Sequence, residues 1–427
     1  MTSVFKCIVC GREYPPGGRL RCVCGELLEV VHQFPEVYAS VFDGRLEEID
    51  GFHRSGVWRF RELIYPGLEE AHIVSRPEGN TNLYKRRSVS EYAGVRRLSM
   101  KHEGENPSGS FKDRGMTVGV SEAMRLGARV VACASTGNTS ASLATYAAQA
   151  GLDCVVFIPE GEIAFGKLAQ ALSYSARVLQ VRGDFDDAMR VVQEASGELG
   201  LYLLNSVNPW RIEGQKAIIF ELLQQRGWEP PDWIVVPAGN LGNTSAFGKA
   251  LMELRQLGLI DVVPRIASVQ AEGADPFYRL WMRRGCGGLD PMVAHTVASA
   301  IKIGNPVSWR KALGSIRFTD GVVDHASDQE IMDAKAVVDG SGVGCEPASA
   351  ASVAGVRRLV ESGVIDPGDD VVCVLTGNLL KDPGASVDYH LGSVEGVTPS
   401  FPNRPVVVDA DVESVRSALG ALVRGAG

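Results

Sequence analysis

The chain has no apolar run approaching the roughly 18 residues that a membrane helix needs, and its first residues contain no apolar core of signal-peptide length. Basic residues are not in excess either, because 43 Lys and Arg stand against 51 Asp and Glu, for a formal net charge of -8. This balance leaves no basic face for nucleic acid or a membrane surface. We therefore expect a cytoplasmic protein with a small-molecule partner, in which any bound anion is held by a local site.

A disulfide framework is not expected. The cysteine count of 9 is odd, and the cysteines beyond the N-terminal region stand alone in apolar or glycine-rich stretches, as reduced core thiols usually do. These residues are Cys133, Cys154, Cys286, Cys345 and Cys373. The sequence therefore lacks the signature of a small secreted scaffold.

The other cysteines lie close together near the N-terminus. Cys7 and Cys10 form a Cys-x-x-Cys pair, and Cys22 and Cys24 form a Cys-x-Cys pair. Thiolates at the first spacing are established zinc ligands, so we predict a zinc-ribbon-like knuckle over residues 1–33 with a structural zinc. The one-residue gap of the second pair departs from the usual spacing, which leaves a degenerate knuckle or free thiols as alternatives.

After Gln33, short Val- and Ile-rich runs alternate with amphipathic stretches rich in Ala and Leu, a pattern typical of a parallel α/β sheet. The predicted buried strands are Val130 to Ala134, Cys154 to Ile158, Arg177 to Val181, Trp233 to Val236, Ile266 to Gln270 and Val371 to Leu375. Helices are predicted over Thr139 to Ala150 and Asp186 to Leu199. Pro383 to Pro405 is expected to be a connector to a last helix around Val412 to Val423. With 45% hydrophobic residues, the chain is long enough for two domains.

The densest candidate chemistry is the stretch from His102 to Met116, HEGENPSGSFKDRGM. Pro107 and Gly109 predict a turn, and the apolar pattern that follows predicts a helix, so Lys112 is expected at a helix N-terminus. Partial desolvation and the positive end of the helix dipole both lower the pKa of a lysine at that position. Lys112 is therefore a candidate amine nucleophile, against the alternative of a surface lysine beside a turn.

The string NPSGSFKDRGM closely resembles the cofactor-lysine motif of the fold-type-II pyridoxal phosphate (PLP) enzymes, and the flanking HEG and TVGV are similar to the threonine synthases. The resemblance implies a tryptophan synthase β-like α/β fold, with two doubly wound domains and the cofactor in the cleft between them. It implies a large PLP-binding domain over 34–97 and 206–400, a small domain over 98–205, and a C-terminal tail and helix over 401–427. Many threonine synthases carry a similar N-terminal cysteine motif.

A second part of the resemblance is the turn after Pro237, where a predicted strand passes into a predicted helix. Glycines there let backbone N–H groups approach an anion, although such a turn alone is a weak signal. In the family, a loop of this kind holds the PLP phosphate. The resemblance assigns this role to Gly239, Asn240, Leu241, Gly242 and Asn243.

Two further turns are assigned by resemblance. In the first, Asn138 contacts the PLP ring oxygen, and Ser135, Thr136 and Thr139 hold the substrate carboxylate; an ordinary helix N-cap is the alternative. In the second, Thr376 faces the pyridine nitrogen, where a neutral hydroxyl suits replacement and elimination chemistry better than transamination. Phe111 completes the predicted cofactor contacts beside Lys112.

The substrate assignment depends on LNSVNPWRIEGQK, residues 204–216, which offers amides, a hydroxyl and an arginine at one helix start. In threonine synthases, the positions matching Asn205, Ser206 and Arg211 hold the substrate phosphate, and Lys167 is a weaker candidate for an added cation. A solvated helix cap is the alternative interpretation. The segments AIKIGNPVSW (300–309) and CEPASAAS (345–352) extend the resemblance, with Glu346 expected near the site or capping a helix.

The implied activity is conversion of O-phospho-L-homoserine and water to L-threonine and phosphate, in a homodimer. An enzyme of the same fold acting on another phospho-amino acid, such as a cysteate synthase, is one alternative. A non-catalytic PLP-binding paralogue is the other.

Overall fold

In the computed structural model, residues 3–161, 165–183 and 185–423 are described, with side chains except those of 165–167, 185–186 and 421–423. The strands form three sheets, with orders β2-β1-β3, β12-β11-β10-β13-β5-β4 and β8-β7-β6-β9. Their bounds are β1 Ser3–Cys7, β2 Glu13–Tyr14, β3 Leu28–His32, β4 Leu83–Tyr84, β5 Arg97–His102, β6 Val130–Ala134, β7 Asp153–Pro159, β8 Arg177–Val181, β9 Tyr202–Leu203, β10 Trp233–Pro237, β11 Arg265–Ala271, β12 Val322–Ala326 and β13 Asp370–Leu375.

The helices lie mainly between the strands of the two larger sheets, as the alternation predicts. Their bounds are α1 Ala39–Gly44, α2 Arg61–Ile64, α3 Arg87–Ala93, α4 Lys112–Arg125, α5 Asn138–Ala150, α6 Phe165–Ser173, α7 Phe185–Leu199, α8 Pro209–Gln225, α9 Gly242–Gln256, α10 Pro276–Met282, α11 Trp309–Phe318, α12 Asp328–Gly340, α13 Pro347–Glu361, α14 Pro383–Leu391 and α15 Val412–Val423. No helix in the described part of the chain is long and apolar enough to span a membrane.

The prediction of a connector over Pro383 to Pro405 is wrong for its first part, because Pro383–Leu391 is the helix α14. Proline is compatible with the first turn of a helix, where its missing N–H would have no partner, so Pro383 starts α14 instead of interrupting it. Tyr389 on α14 is buried and donates a hydrogen bond to Asp333 of α12 at 2.5 Å. Packing against α12 therefore stabilises a helix that the local composition does not favour.

The six-stranded sheet carries the larger core. Its strands are parallel except for β4, and β10 (WIVVP) is buried along its whole length, as expected for a central strand covered on both faces. One face packs with α8, α9 and the N-terminal sheet, and the other packs with α3, α12 and α13. The four-stranded sheet is parallel and is covered by helices on both faces, so each large sheet is doubly wound.

One predicted boundary falls inside a strand. The small domain is predicted to begin at 98, but β5 runs from Arg97 to His102 and pairs with β13 of the six-stranded sheet. The chain leaves that sheet only after His102 and then enters α4. The other domain bounds remain predictions.

Glycines bring α4 and α8 into close contact. A Cβ added at Gly115 of α4 would lie 2.7 Å from the Arg211 carbonyl oxygen, and one at Gly214 of α8 would lie 1.9 Å from the Arg114 carbonyl oxygen. A side chain at either position would force the two backbones apart. This crossing places Arg211 on the helix that packs against the first turn of α4, where Lys112 lies.

A buried network of charges fixes the chain on both sides of Lys112. Arg114 donates to Glu103 at 2.6 Å and to Glu221 at 2.9 Å, and Lys101 donates to the same Glu221 oxygen at 2.5 Å. Arg59 lies 3.5 Å from the second Glu221 oxygen. The network joins β5, α4 and α8 to the chain before β4.

Replacing Glu221 with Gln should strongly destabilise the fold. The neutral amide removes the negative charge that Arg114, Lys101 and Arg59 share, and breaking a buried pair costs about 3 to 5 kcal/mol. Urea or thermal unfolding of E221Q against the parent chain measures the change, with the exposed Glu47→Gln as the control. A loss below about 1 kcal/mol would contradict the assigned role.

Candidate functional site

Lys112 begins α4, as predicted from the turn before it. Its Nζ lies 4.0 Å from the centroid of the Phe111 ring, and within the described residues it has no hydrogen-bond acceptor. The pKa of Lys112 is lowered to about 7, mainly by burial and also by the nearby Arg211 cation, while Glu346 opposes the shift. A substantial share of this amine is therefore neutral near pH 7, the form that attacks an aldehyde.

The loop before Lys112 is held by Asp113. Its carboxylate accepts from the Ser108 amide at 2.6 Å, from the Ser108 hydroxyl at 2.5 Å and from the Ser142 hydroxyl of α5 at 2.5 Å. On the other side, the Phe111 amide donates to the Thr376 carbonyl at 3.0 Å. Lys112 therefore extends from a backbone that is fixed both to α5 and to the end of β13.

The turn between β10 and α9 has the geometry of an anion cradle. Leu241 adopts a left-handed conformation, φ 64°, which is unfavourable for a residue with a Cβ and is often found at functional turns. The amides from Gly239 to Thr244 donate to no acceptor in the described part of the chain. Consecutive free N–H groups at the start of a helix fit the phosphate of PLP.

Sequence reasoning missed Gln215 at this turn. Gln215 is buried on α8, and its Oε1 atom would lie 3.1 Å from a Cβ added at Gly242. No hydrogen bond satisfies that Oε1 within the described residues. The spacing of four residues from Arg211, which puts both side chains on one face of a helix, is the sequence signal that could have found it.

The turn before α5 offers a second group of free donors. Within the described residues, the amides of Thr136, Asn138 and Thr139 have no acceptor, and the Ser135 hydroxyl accepts from the Gly137 amide at 3.1 Å. Such donors suit a carboxylate. Asn138 is buried at the first position of α5, and its Nδ2 atom donates to both oxygens of Glu346, at 3.2 and 3.1 Å.

Thr376 is buried just after β13, and its hydroxyl lies 3.1 Å from that of Ser349 on α13. Ser349 also accepts from the Gly377 amide at 2.9 Å. Ser349 is therefore a further residue that the sequence did not single out, because a serine inside an Ala-rich helix resembles a core residue. Both hydroxyls are neutral, as expected for a partner of an unprotonated ring nitrogen.

The Arg211 guanidinium is a buried cation, and its one hydrogen bond within the described residues is a donation to the Leu204 carbonyl at 3.2 Å. Burial lowers the pKa of Arg211 to about 10. A buried guanidinium without a carboxylate partner costs stability, which points to an anion supplied from outside the chain.

The other predicted phosphate ligands differ in which of their hydrogen-bonding groups remain available. The Ser206 hydroxyl accepts from Asn240 of the β10–α9 turn at 3.4 Å. Both ends of the Asn205 amide are bonded to the backbone of Ala134, at 2.9 Å each, so Asn205 extends the pairing of β6 and has one N–H left. The Lys167 side chain lies outside the described residues.

The N-terminal cysteines converge on one point. The Sγ atoms of Cys7, Cys10, Cys22 and Cys24 all lie within 4.8 Å of one another, with closest separations of 3.5, 3.6 and 3.8 Å. Tetrahedral Zn–S bonds of about 2.3 Å put sulfurs about 3.8 Å apart, so the four thiols fit one zinc ion. The Cys10 amide also points to the Cys7 sulfur at 3.5 Å, an arrangement that orients the thiolate.

The buried lysine, the turn at the start of α9 and the pair of neutral hydroxyls fit a PLP cofactor. The sequence matches the pyridoxal-phosphate dependent enzyme family over residues 74–377, so the chain is a PLP-dependent enzyme. The chain is 45% identical to a threonine synthase of Methanocaldococcus jannaschii over 384 residues, covering 90% of this chain and 94% of that one. It is 43% identical to a threonine synthase of Methanosarcina acetivorans, over 97% and 98% of the two chains. The chain belongs to the threonine synthase family.

The fold agrees with this assignment. The crystal structure of threonine synthase from Escherichia coli superimposes with a TM-score of 0.65 at 17% identity, over 93% of this chain and 94% of that one. At this identity the match supports the fold alone. The predicted fold class and the predicted cofactor, PLP, are both confirmed.

Proposed function

We propose that this chain converts O-phospho-L-homoserine and water to L-threonine and phosphate, with Lys112 as the catalytic residue. The observation that carries the substrate assignment is Arg211, a buried guanidinium without an acidic partner in the described residues, close enough to lower the pKa of Lys112. A substrate that brings its own phosphate supplies the missing anion. A free hydroxyl amino acid carries only its α-carboxylate, which is assigned to the turn before α5.

The cofactor would be held by three parts of the site. The free amides from Gly239 to Asn243 would bind its phosphate, with Gln215 beside them; Asn138 would donate to its ring oxygen, and Thr376 would face its ring nitrogen. When bound, PLP supplies an electron sink that stabilises negative charge at the substrate Cα and, by conjugation, beyond it.

The remaining groups bind the substrate and move its protons. The amides and hydroxyls of Ser135, Thr136 and Thr139 would hold the carboxylate, while Arg211 and Ser206 would hold the phosphate, so that the substrate is fixed at both ends. Lys112, once free, would take protons from Cα and Cβ, because its amine is uncharged near neutral pH. The loss of phosphate from Cγ would be balanced by protons delivered to Cγ and Cα and by the addition of water at Cβ. Arg211 would also stabilise the charge on the phosphate that leaves from Cγ.

The proposal is tested by offering the purified enzyme O-phosphohomoserine, O-phosphoserine with sulfite, and L-threonine in parallel. Phosphate and threonine are both quantified. Equal amounts of phosphate and threonine from the first substrate alone are the expected result. Phosphate release from O-phosphoserine in preference would favour a cysteate synthase, and bound PLP without turnover of any substrate would favour a non-catalytic paralogue.

We also propose that the cysteine cluster holds a structural zinc ion, for which the support is the convergence of the four thiols. The sheet β2-β1-β3 that carries the cluster is connected to the catalytic part of the chain through His32 of β3, whose ring nitrogen lies 2.9 Å from Glu213 on α8. Glu213 is two residues from Arg211. Zinc would therefore support the helix that carries the phosphate-binding arginine.

Replacing Cys22 with Ser should remove the metal and lower the unfolding temperature, because metal binding in such a site contributes directly to folding. Elemental analysis should find about one zinc per parent chain and much less in the variant. The exposed Cys286→Ser should keep both the metal and the stability. Parent protein that contains no zinc, with unchanged unfolding on chelation, would favour a degenerate knuckle.

Finally, we propose that the enzyme works in the cytoplasm as a homodimer, which rests on the family resemblance. Light scattering after size-exclusion chromatography gives the mass in solution directly. A mass of one chain would contradict the dimer.

A further inference from the structure

Glu346 is a buried carboxylate at the start of α13, and it does not cap that helix. It occupies the N-cap position, but its side chain accepts no hydrogen bond from the first turn. Both of its oxygens instead face Nδ2 of Asn138, on the helix that follows β6. The contact joins the helices of the two large sheets across the site.

The backbone at Gly377 keeps this carboxylate in place. A Cβ at Gly377 would lie 2.4 Å from Oε1 and 3.0 Å from Oε2 of Glu346, so any larger residue there would displace the carboxylate. The Glu346 amide donates to the Gly377 carbonyl at 3.1 Å. The acid is therefore positioned by its own backbone and by the chain after β13.

The chemical consequence concerns the orientation of the Asn138 amide. The two ends of a carboxamide have nearly the same shape, so packing alone does not decide whether NH₂ or oxygen faces a neighbour. A carboxylate accepts hydrogen bonds and does not donate them, so Glu346 selects NH₂. Its two oxygens are almost equidistant from Nδ2, and one shared N–H can serve both, which leaves the second N–H available.

We propose that Glu346 is a positioning residue that turns the NH₂ group of Asn138 toward the ring oxygen of PLP. This inference rests on the proposed role of Asn138 in cofactor binding. With the amide reversed, two oxygen acceptors would face each other at the ring, and the contact would become repulsive. Glu346 acts through Asn138 and contacts neither substrate nor cofactor in this proposal.

A double-mutant cycle tests the proposal, using Asn138→Ala, Glu346→Gln and the double variant. Gln keeps the size of Glu but can donate or accept, so it no longer selects the orientation of the amide. The dissociation constant of PLP and the visible absorbance of the bound cofactor are measured without substrate. The control is Glu361→Gln at the other end of α13, which is exposed.

We expect N138A to weaken PLP binding about tenfold and E346Q severalfold, as for the loss of one hydrogen bond to a charged group. The double variant should bind no more weakly than N138A, and both single variants should change the visible band in the same direction. Equal weakening by E346Q in both backgrounds would overturn the inference and assign Glu346 a role that is independent of Asn138. Unchanged binding in N138A would overturn the proposed cofactor role of Asn138 as well.

Discussion

Replacing Lys112 with Ala is expected to abolish turnover and the visible absorbance of bound cofactor together. In the proposed mechanism, the amine is both the covalent anchor of PLP and the group that moves protons to and from the substrate. Loss of a positioned acid–base group alone costs about 10²- to 10⁴-fold in rate, and loss of the covalent link adds to it. The absorbance spectrum of the purified variant and a phosphate-release assay measure the two effects.

Lys85→Ala is the matched control, because Lys85 is exposed and lies outside the site. It should keep both the visible band and the activity. A K112A variant that retained both would remove Lys112 from its assigned role. Circular dichroism of K112A checks that the fold is retained, which we expect because Nζ has no hydrogen bond to the described residues.

The lowered pKa of Lys112 adds a pH dependence to this result. Because the amine is neutral above a pKa of about 7, the rate of PLP incorporation into apoenzyme should fall as the pH drops through that value. Between about pH 8 and pH 6 the neutral fraction, and hence the rate, falls about tenfold. A rate that still rose steeply above about pH 9 would indicate a lysine with the ordinary pKa of about 10.4.

Replacing Arg211 with Met is expected to lower kcat/KM for O-phosphohomoserine roughly 100- to 1000-fold, which is about 3 to 4 kcal/mol. Met fills most of the volume of the arginine stem but offers no charge to the phosphate. The visible absorbance of bound PLP should stay unchanged, because Arg211 is assigned to the substrate. Steady-state kinetics with the phosphorylated substrate and a cofactor titration separate the two effects.

The same variant should not lose stability. Burial lowers the pKa of Arg211, which means that the folded protein disfavours its charged form. For a base whose pKa is lowered on folding, the free energy of unfolding decreases as the pH falls below the pKa of the unfolded chain. At neutral pH this destabilisation is fully present, so removal of Arg211 should not lower the free energy of unfolding. An unfolding temperature of R211M equal to or above that of the parent is the expected result. A large decrease, together with unchanged kinetics, would identify Arg211 as a structural residue.

Arg211→Lys distinguishes charge from geometry. Lysine keeps a positive charge but lacks the planar fork that binds two phosphate oxygens at once. We expect R211K to lie between the parent and R211M in kcat/KM. The exposed Arg129→Ala, which removes a charge from the surface, should leave the kinetics unchanged.

Local sequence was sufficient to predict the features that depend on residues adjacent in the chain. The turn at Pro107 and Gly109 and the apolar pattern after it placed Lys112 at the start of α4, and the glycines around Leu241 placed a turn where β10 passes into α9. The alternation of buried runs and amphipathic stretches predicted doubly wound sheets, because strand burial and helix periodicity are local patterns. The spacing of the two cysteine pairs predicted a knuckle, and the four sulfur atoms do converge on one point.

Only the tertiary structure decided which of these groups meet and which are already bonded. Gly115 and Gly214 bring α4 and α8 together, and Arg211 lies near Lys112 with no acidic partner among the described residues. The Asn205 amide is already bonded to the backbone of Ala134, which is distant in sequence. The contact of Glu346 with Asn138 likewise joins residues from different sheets. Hydrogen-bond satisfaction and desolvation depend on every neighbour in space, and for these buried groups most neighbours are distant in sequence.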